Sequence, residues 1–286
     1  MLPALLLIAC DAAAPPDETL TLRYQVTVSN TTARVLTRGQ LWLNAPAAQA
    51  VGQRVVSIEL EQPHRLLTDP HGNQILFLEF EQVPRHFETR LDIEVRLGPP
   101  DEAALQLASE YLATEPGIEV AAAEIRERAR ELAGPSQAAT VERVLDWIRA
   151  LEVKAPSEPR GPPAEGTPSS DAAGRGALHL LSTRTGREED RARLAVALLR
   201  AGEIPSRVVL GFVEDGDARL TADELEFWVE YELDGSWRRG TISEEAHAAD
   251  ARYVAMRIDG DPARISSSGG LELLHEGLGL RAELVN

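Results

Sequence analysis

The stretch of residues 186–212 constrains the fold of this chain more than any other. It opens with three acidic residues at 188–190, which lie where the exposed N–H groups and the positive dipole end of a helix favour negative charge. An apolar run with helical spacing follows, so the helix is predicted to be buried on nearly every side. Gly202 and Ile204-Pro205 then end it. Residues 207–212 are β-rich, and the sequence therefore predicts a buried helix that leads directly into a strand.

The chain upstream of this helix divides into segments of different character. Residues 20–97 alternate apolar and polar side chains between turn signals, which predicts a small antiparallel β-domain over residues 17–100. Gly98-Pro99-Pro100 marks a junction to a second domain over residues 101–286. That domain is expected to begin with a helix over residues 118–133 and a second helix capped by Ser136. Residues 154–175 are rich in Pro, Gly, Ser and Ala, which predicts a flexible insertion, either a plain loop or a cover for a cleft.

Three short motifs follow one another in an order that resembles a known family. The first surrounds the buried helix, the second is a strand with a W-x-E pattern, and the third is a segment that begins with Trp. Their residues are Gly186, Asp190, Ala192, 198–201, 204–208 and 211–212, then Trp228 and Glu230, then Trp237, Ser243 and Glu244. This arrangement resembles the bacterial transglutaminase-like superfamily, whose fold is that of papain-like thiol enzymes. The β-region ahead of it, with Gln53-Arg54-Val55 and the turn residues Asp69, Gly72 and Asn73, is similar to that found before many such domains.

The resemblance implies an α+β fold, in which an N-terminal antiparallel β-domain precedes a transglutaminase-like domain of helices packed on an antiparallel sheet. It also assigns Asp190, Trp228 and Glu230 to the cleft. The catalytic positions, however, are replaced, because Glu188 stands where the family has its nucleophilic Cys, Glu226 where it has His, and Thr241 where it has Asp. A thiol at a helix N-terminus gains a lowered pKa, whereas a Glu there stays a weak nucleophile. The resemblance thus implies the scaffold and argues against the reaction.

The two glutamates suggest other chemistry for the same place. In strand 225–233, alternation puts Glu226, Trp228, Glu230 and Glu232 on one face, and the resemblance implies that Glu226 faces Glu188. Two close carboxylates either share a proton or hold a cation, so a Ca²⁺ site formed by Glu188 and Glu226 is one hypothesis. Solvated glutamates in an open cleft are the alternative. Ser182, Thr183 and Thr185 precede the helix, but no general base is placed for them as replacement nucleophiles.

Composition and the first residues bear on partners and location. The net charge of −17 argues against binding to nucleic acid or to an anionic membrane surface, because phosphate binding needs concentrated Lys and Arg. Residues 1–10 are apolar and end in Leu7-Ile8-Ala9-Cys10, which resembles a bacterial lipobox with a tether up to residue 16. A cytosolic protein with an apolar N-terminus is the alternative. With a lipid on Cys10, the expected location is the cell envelope, on the periplasmic or extracellular face, with contact to the membrane only through the anchor.

Two functions remain open from the sequence. The first is a catalytically inactive envelope lipoprotein that binds a protein or a peptidoglycan-associated ligand without a cofactor. The second is a hydrolase that uses Glu188 and Glu226 as an acid/base pair. The simultaneous replacement of all three catalytic positions favours the first.

Overall fold

The computed structural model describes residues 19–30, 32, 34–100, 108–154, 176–214, 225–243, 251–258 and 280–284. Cys10, Glu244 and residues 155–175 of the predicted insertion lie outside this set. The described chain is α+β with antiparallel sheets, as the sequence predicted. Its strands are β1 (Leu20–Asn30), β2 (Leu36–Ala45), β3 (Gln49–Ala50), β4 (Gln53–Glu59), β5 (His64–Thr68), β6 (Gln74–Val83), β7 (Glu88–Gly98), β8 (Ser206–Glu214), β9 (Leu225–Leu233), β10 (Ser236–Thr241), β11 (Arg252–Ile258) and β12 (Leu280–Leu284), and its helices are α1 (Ala123–Leu132), α2 (Gln137–Arg149), α3 (Ala177–Thr183) and α4 (Glu188–Ala201).

The N-terminal region is built from two antiparallel sheets that share one apolar core. One has the strand order β12-β1-β7-β4-β3 and the other β2-β6-β5. Buried side chains from both sheets, such as Val28, Leu41, Leu76 and Ile93, meet between them. These residues recur at every second position, which confirms the alternation read from the sequence. The described part of the C-terminal tail is the single strand β12, which pairs with β1.

The second region packs its helices on one face of the sheet β10-β9-β8-β11. Helix α4 lies at the centre, because it contacts α1, α2, α3, β8 and β9. All its residues from Ala192 to Leu199 are buried, among them Arg193, so the prediction of a buried helix is confirmed. Ser136 caps α2 as expected, since its Oγ accepts the Ala139 N–H at 3.2 Å.

Helix α1 begins later than the sequence predicted. The expected start was residue 118, whereas the helix runs from Ala123. Ile118 instead pairs with Glu115 in an isolated β-bridge, and Gly117 between them has a φ of +81°, which is a turn conformation. The fully buried Ile118 therefore reaches the core from a turn rather than from a helix. None of the helices in the described residues has the length and apolar character needed to cross a bilayer.

Two side chains of the N-terminal region form hydrogen bonds with the backbone of β11, as a neighbouring strand would. Gln53 donates to the Ala255 carbonyl at 3.0 Å and accepts the Ala255 N–H at 2.8 Å. Asn73 does the same at Ile258, with distances of 2.8 Å to its carbonyl and 2.6 Å from its N–H. Each amide thus satisfies one donor and one acceptor of the β11 backbone, as a paired strand would. This is the contact made by the Gln-Arg-Val and D-x-x-GN motifs.

Candidate functional site

The acidic start of α4 contains residues with different surroundings. Glu188 is the first residue of the helix and is exposed. Glu189 forms an ion pair with Arg193 at 2.7 Å. Asp190 is buried and its Oδ2 accepts the Arg187 N–H at 2.9 Å, which caps the helix start. Asp190 therefore has a structural contact that explains its place in the motif.

The strand β9 has two faces, as alternation predicted. Phe227 and Val229 pack into the core around the helices. Trp228 lies on the other face, in a cluster with Ala47 and Ala50 of the N-terminal region. Glu226 shares the face of Trp228, because it lies two residues away along the same strand. The face opposite the helices is thus the one that the N-terminal region covers.

The topology brings Glu188, Glu226 and Thr241 to one end of the domain. A turn of only residues 202–205 joins α4 to β8, so the helix and the strand run in opposite directions. The start of α4 with Glu188 then lies towards the end of β8, where the sheet register pairs Gly211 with Glu226. Thr241 ends β10 and pairs with Trp228. The sheet register therefore puts Thr241 two residues from Glu226 along the neighbouring strand.

A buried ion pair lies on the covered face of the sheet. Both Nε and Nη2 of Arg207 donate to Glu230 Oε2, at 2.9 and 2.6 Å, and Glu230 Oε1 accepts the Val51 N–H at 3.0 Å. The guanidinium also lies 4.5 Å from the centre of the Trp237 ring and 5.3 Å from that of Tyr111. Burial by itself lowers the pKa of Arg207, but the Glu230 carboxylate and Tyr111 together outweigh it and the pKa is raised. Glu230 is therefore held as the partner of Arg207.

Arginine residues of this face were not identified as important from the sequence. The sequence motifs include Arg207 but assign no role to it, and they do not include Arg239. Arg239 pairs with Glu230 in the sheet register, its Nη2 donates to the Val51 carbonyl at 2.8 Å, and its Cζ lies 3.8 Å from the Tyr253 ring centre. One signal was present, because Trp237, Arg239 and Thr241 alternate on one face of β10, so the arginine had to point inwards. Tyr111, next to this group, has a pKa raised by burial.

The residues available for a metal are few in the described part of the chain. No group of three or more His, Cys, Asp or Glu side chains there is arranged to hold an ion. Ca²⁺ takes about six to eight oxygen ligands, whereas Glu188 and Glu226 together supply four. A calcium site at these two glutamates would therefore need water or other parts of the chain as further ligands.

Comparisons with known proteins identify the same architecture. Residues 126–240 match the model of the transglutaminase-like superfamily core. The crystal structure of a putative cysteine protease from Cytophaga hutchinsonii aligns with 94% of this chain and 90% of its own, at 14% identity and a TM-score of 0.53, which shows a shared fold. A putative protease from Parabacteroides distasonis aligns with 77% of this chain and 43% of its own, at 16% identity and a TM-score of only 0.32. No curated protein matches the sequence. Residues 126–240 therefore resemble the core of the transglutaminase-like superfamily, and the chain shares the fold of a putative cysteine protease.

Proposed function

We propose that this chain is a binding protein built on the transglutaminase-like scaffold and that it has no thiol chemistry. The observation that carries the proposal is the residue at the start of α4. Glu188 occupies that position, and the one Cys of the whole sequence is Cys10. A carboxylate at a helix N-terminus is stabilised as an anion and does not replace a thiolate as a nucleophile.

The comparison between motif residues that this chain shares with the family and those that it lacks supports the same proposal. Three of the kept motif residues have structural contacts: Asp190 caps α4, Trp228 fills the cluster under the N-terminal region, and Glu230 pairs with Arg207. The lost residues are those whose value is chemical, at positions 188, 226 and 241. Stability therefore accounts for the retained motif, and selection for the reaction is not needed to explain it.

A hydrolase that uses Glu188 and Glu226 is the second candidate. The observation in its favour is that the start of α4 and the start of β9 lie at the same end of the domain. An acid/base pair would need one carboxyl group to stay protonated near neutral pH.

Turnover separates the two candidates. We expect the full chain to show no hydrolysis of peptide amide, ester or glycoside substrates above the level of a Glu188→Gln, Glu226→Gln double variant. Activity that disappears in the double variant would overturn the binding-protein proposal and identify a carboxylate active site.

A rebuilt triad tests whether only the chemistry is missing. In a Cys10→Ser background, the Glu188→Cys, Glu226→His, Thr241→Asp variant carries one thiol, at the start of α4. We expect this thiol to react with iodoacetamide at a lower pH than ordinary thiols, because the helix and the imidazolium favour the thiolate. The matched control is Ser182→Cys in the same background, since Ser182 is exposed and lies in α3. Equal pH profiles for both thiols would show that the scaffold no longer holds a triad geometry.

The proposed location and partners are based on the sequence alone. A lipid on Cys10 would hold the protein at the cell envelope, where a protein or a peptidoglycan-associated ligand is the partner that we propose. Mass spectrometry of the N-terminal peptide, compared with a Cys10→Ser variant, tests the anchor, and an unmodified cysteine would remove it from the proposal.

Calcium is the one ion that the proposal includes, at Glu188 and Glu226. If it binds there, millimolar calcium should raise the melting temperature, because a ligand that binds only the folded state stabilises it. The Glu188→Gln, Glu226→Gln variant should lose this rise. An unchanged melting temperature of the parent protein would exclude the calcium site.

A further inference from the structure

Two neighbouring N–H groups on the covered face of the sheet are buried and have no hydrogen-bond acceptor among the residues that the structure describes. They are Nε1 of Trp228, whose residue is 2% exposed, and Nε of Arg239. Trp228 lies on β9 and Arg239 on β10, and the guanidinium carbon is 6.0 Å from the centre of the indole ring. Buried donors in folded proteins nearly always have a partner, so two adjacent exceptions call for an explanation.

The charge at this place is also unbalanced. Arg239 donates one hydrogen bond to the described residues, from Nη2 to the Val51 carbonyl, and it stacks on Tyr253. The carboxylate whose charge acts on Arg239 is Glu230. Both oxygens of Glu230 are already engaged, by Arg207 and by the Val51 N–H. The group of Arg207, Glu230 and Arg239 therefore carries one excess positive charge.

Solvent does not compensate this charge fully. Burial lowers the pKa of Arg239, which means that its charged form is poorly hydrated. A cation in such a position is stabilised by an anion that accepts hydrogen bonds from it. What is missing at this place is thus an anionic acceptor beside Arg239 and Trp228.

We propose that this place binds a carboxylate group, with Arg239 Nε and Trp228 Nε1 as its two donors. Two N–H donors from adjacent side chains match the two oxygens of one carboxylate, and one negative charge cancels the single excess positive charge. A phosphate dianion would bring more charge and more acceptors than these donors satisfy. Gly52 is an exposed residue of the N-terminal region close to this place, because an added Cβ there would lie 3.3 Å from Arg239 Nη2.

The inference goes beyond the proposed function, because it names a chemical group and a place for it. It does not depend on the residues at positions 188, 226 and 241. Its test measures no turnover, so it can fail while the proposal of an inactive scaffold stands, and the reverse is equally true.

Acetate and acetamide form a matched pair of probes for this site. They have nearly the same shape, and only acetate carries a negative charge. We would record the indole N–H signals of the full chain, which has four Trp residues, with tryptophan labelled with ¹⁵N at constant ionic strength. The Trp42→Phe, Trp147→Phe and Trp237→Phe variants assign the Trp228 signal by elimination, so no variant of Trp228 itself is needed. We expect acetate to shift this signal saturably and acetamide to leave it in place.

Arg239→Gln is the variant that should abolish the response. Its matched control is Arg238→Gln, because Arg238 is the next residue of β10 and is exposed on the other face. We expect the control to respond as the parent does. The proposal is overturned if the Trp228 signal shows no saturable shift with acetate up to about 50 mM, tenfold above a weak Kd of ~5 mM. An equal response to acetamide, or a response that survives in a folded Arg239→Gln variant, overturns it as well.

Discussion

Replacing Glu230 with alanine is expected to lower the free energy of unfolding by about 3–5 kcal/mol, because it leaves the buried charge of Arg207 without its partner. The side chain of Glu230 is 0% exposed and that of Arg207 is 5% exposed, so water cannot take the place of the carboxylate. Arg239 lies beside the pair, and the variant would leave two cations on this face with no anion between them. Urea denaturation followed by circular dichroism measures the loss.

Two control variants show whether the loss of stability comes from the unpaired charge of Arg207 or from the removal of any carboxylate. Glu79→Ala removes a surface partner of Arg38, where the side chains are 40% and 65% exposed, and should cost less than about 1 kcal/mol. The Arg207→Met, Glu230→Leu double variant removes both charges and should recover most of the stability that Glu230→Ala loses. If Glu230→Ala costs no more than Glu79→Ala, the pair is not the stabilising feature that we describe.

Gly211→Ala is the second change with a large expected effect. Gly211 lies in β8 between β9 and β11, and a Cβ there would stand 2.1 Å from the Val254 carbonyl oxygen and 2.5 Å from the Trp228 ring. Neither neighbour can yield easily, because one is sheet backbone and the other a fully packed indole. Overpacking of this kind costs about 1–3 kcal/mol and occasionally more, and we expect about 3 kcal/mol or more here. Thermal unfolding measures the loss of stability. The emission of the buried tryptophans should shift to the red as the protein unfolds.

Gly235→Ala is the control for the backbone part of that effect. Gly235 lies in the exposed β9–β10 turn with a φ of +80°, and a Cβ there meets nothing within 4 Å. Alanine at this position should cost only the conformational penalty of about 1–2 kcal/mol. A Gly211→Ala variant as stable as Gly235→Ala would show that β8 and β11 adjust to the extra methyl group.

Local patterns predicted much of this fold. The alternation in residues 20–97 predicted the strands, and the alternation in β9 separated Phe227 and Val229 from Trp228 and Glu230. Ser136 was identified as the cap of α2. These predictions succeed because each depends on neighbours in sequence, where helix and strand periods act directly.

Features that depend on distant residues were not predictable from the same patterns. Gln53 and Asn73 stood in motifs that resemble the family, but their role at Ala255 and Ile258 of β11 requires the two regions to be packed together. The Arg207–Glu230 pair likewise depends on the register of β8 with β9. Helix α1 starts late because Gly117 makes a turn that the apolar pattern around Ile118 does not reveal.

The pairing of β12 with β1 has a consequence for how the protein is made. Val26 pairs with Leu284, which lies 258 residues later in the sequence. During synthesis, the other strands of the first sheet emerge from the ribosome long before β12, so β1 keeps an open edge until residue 284 has been translated. Contacts between such distant residues are slow to form, and an open edge invites pairing with other chains. The open edge of β1 is therefore a place where the nascent N-terminal region can pair with other chains until β12 has been made.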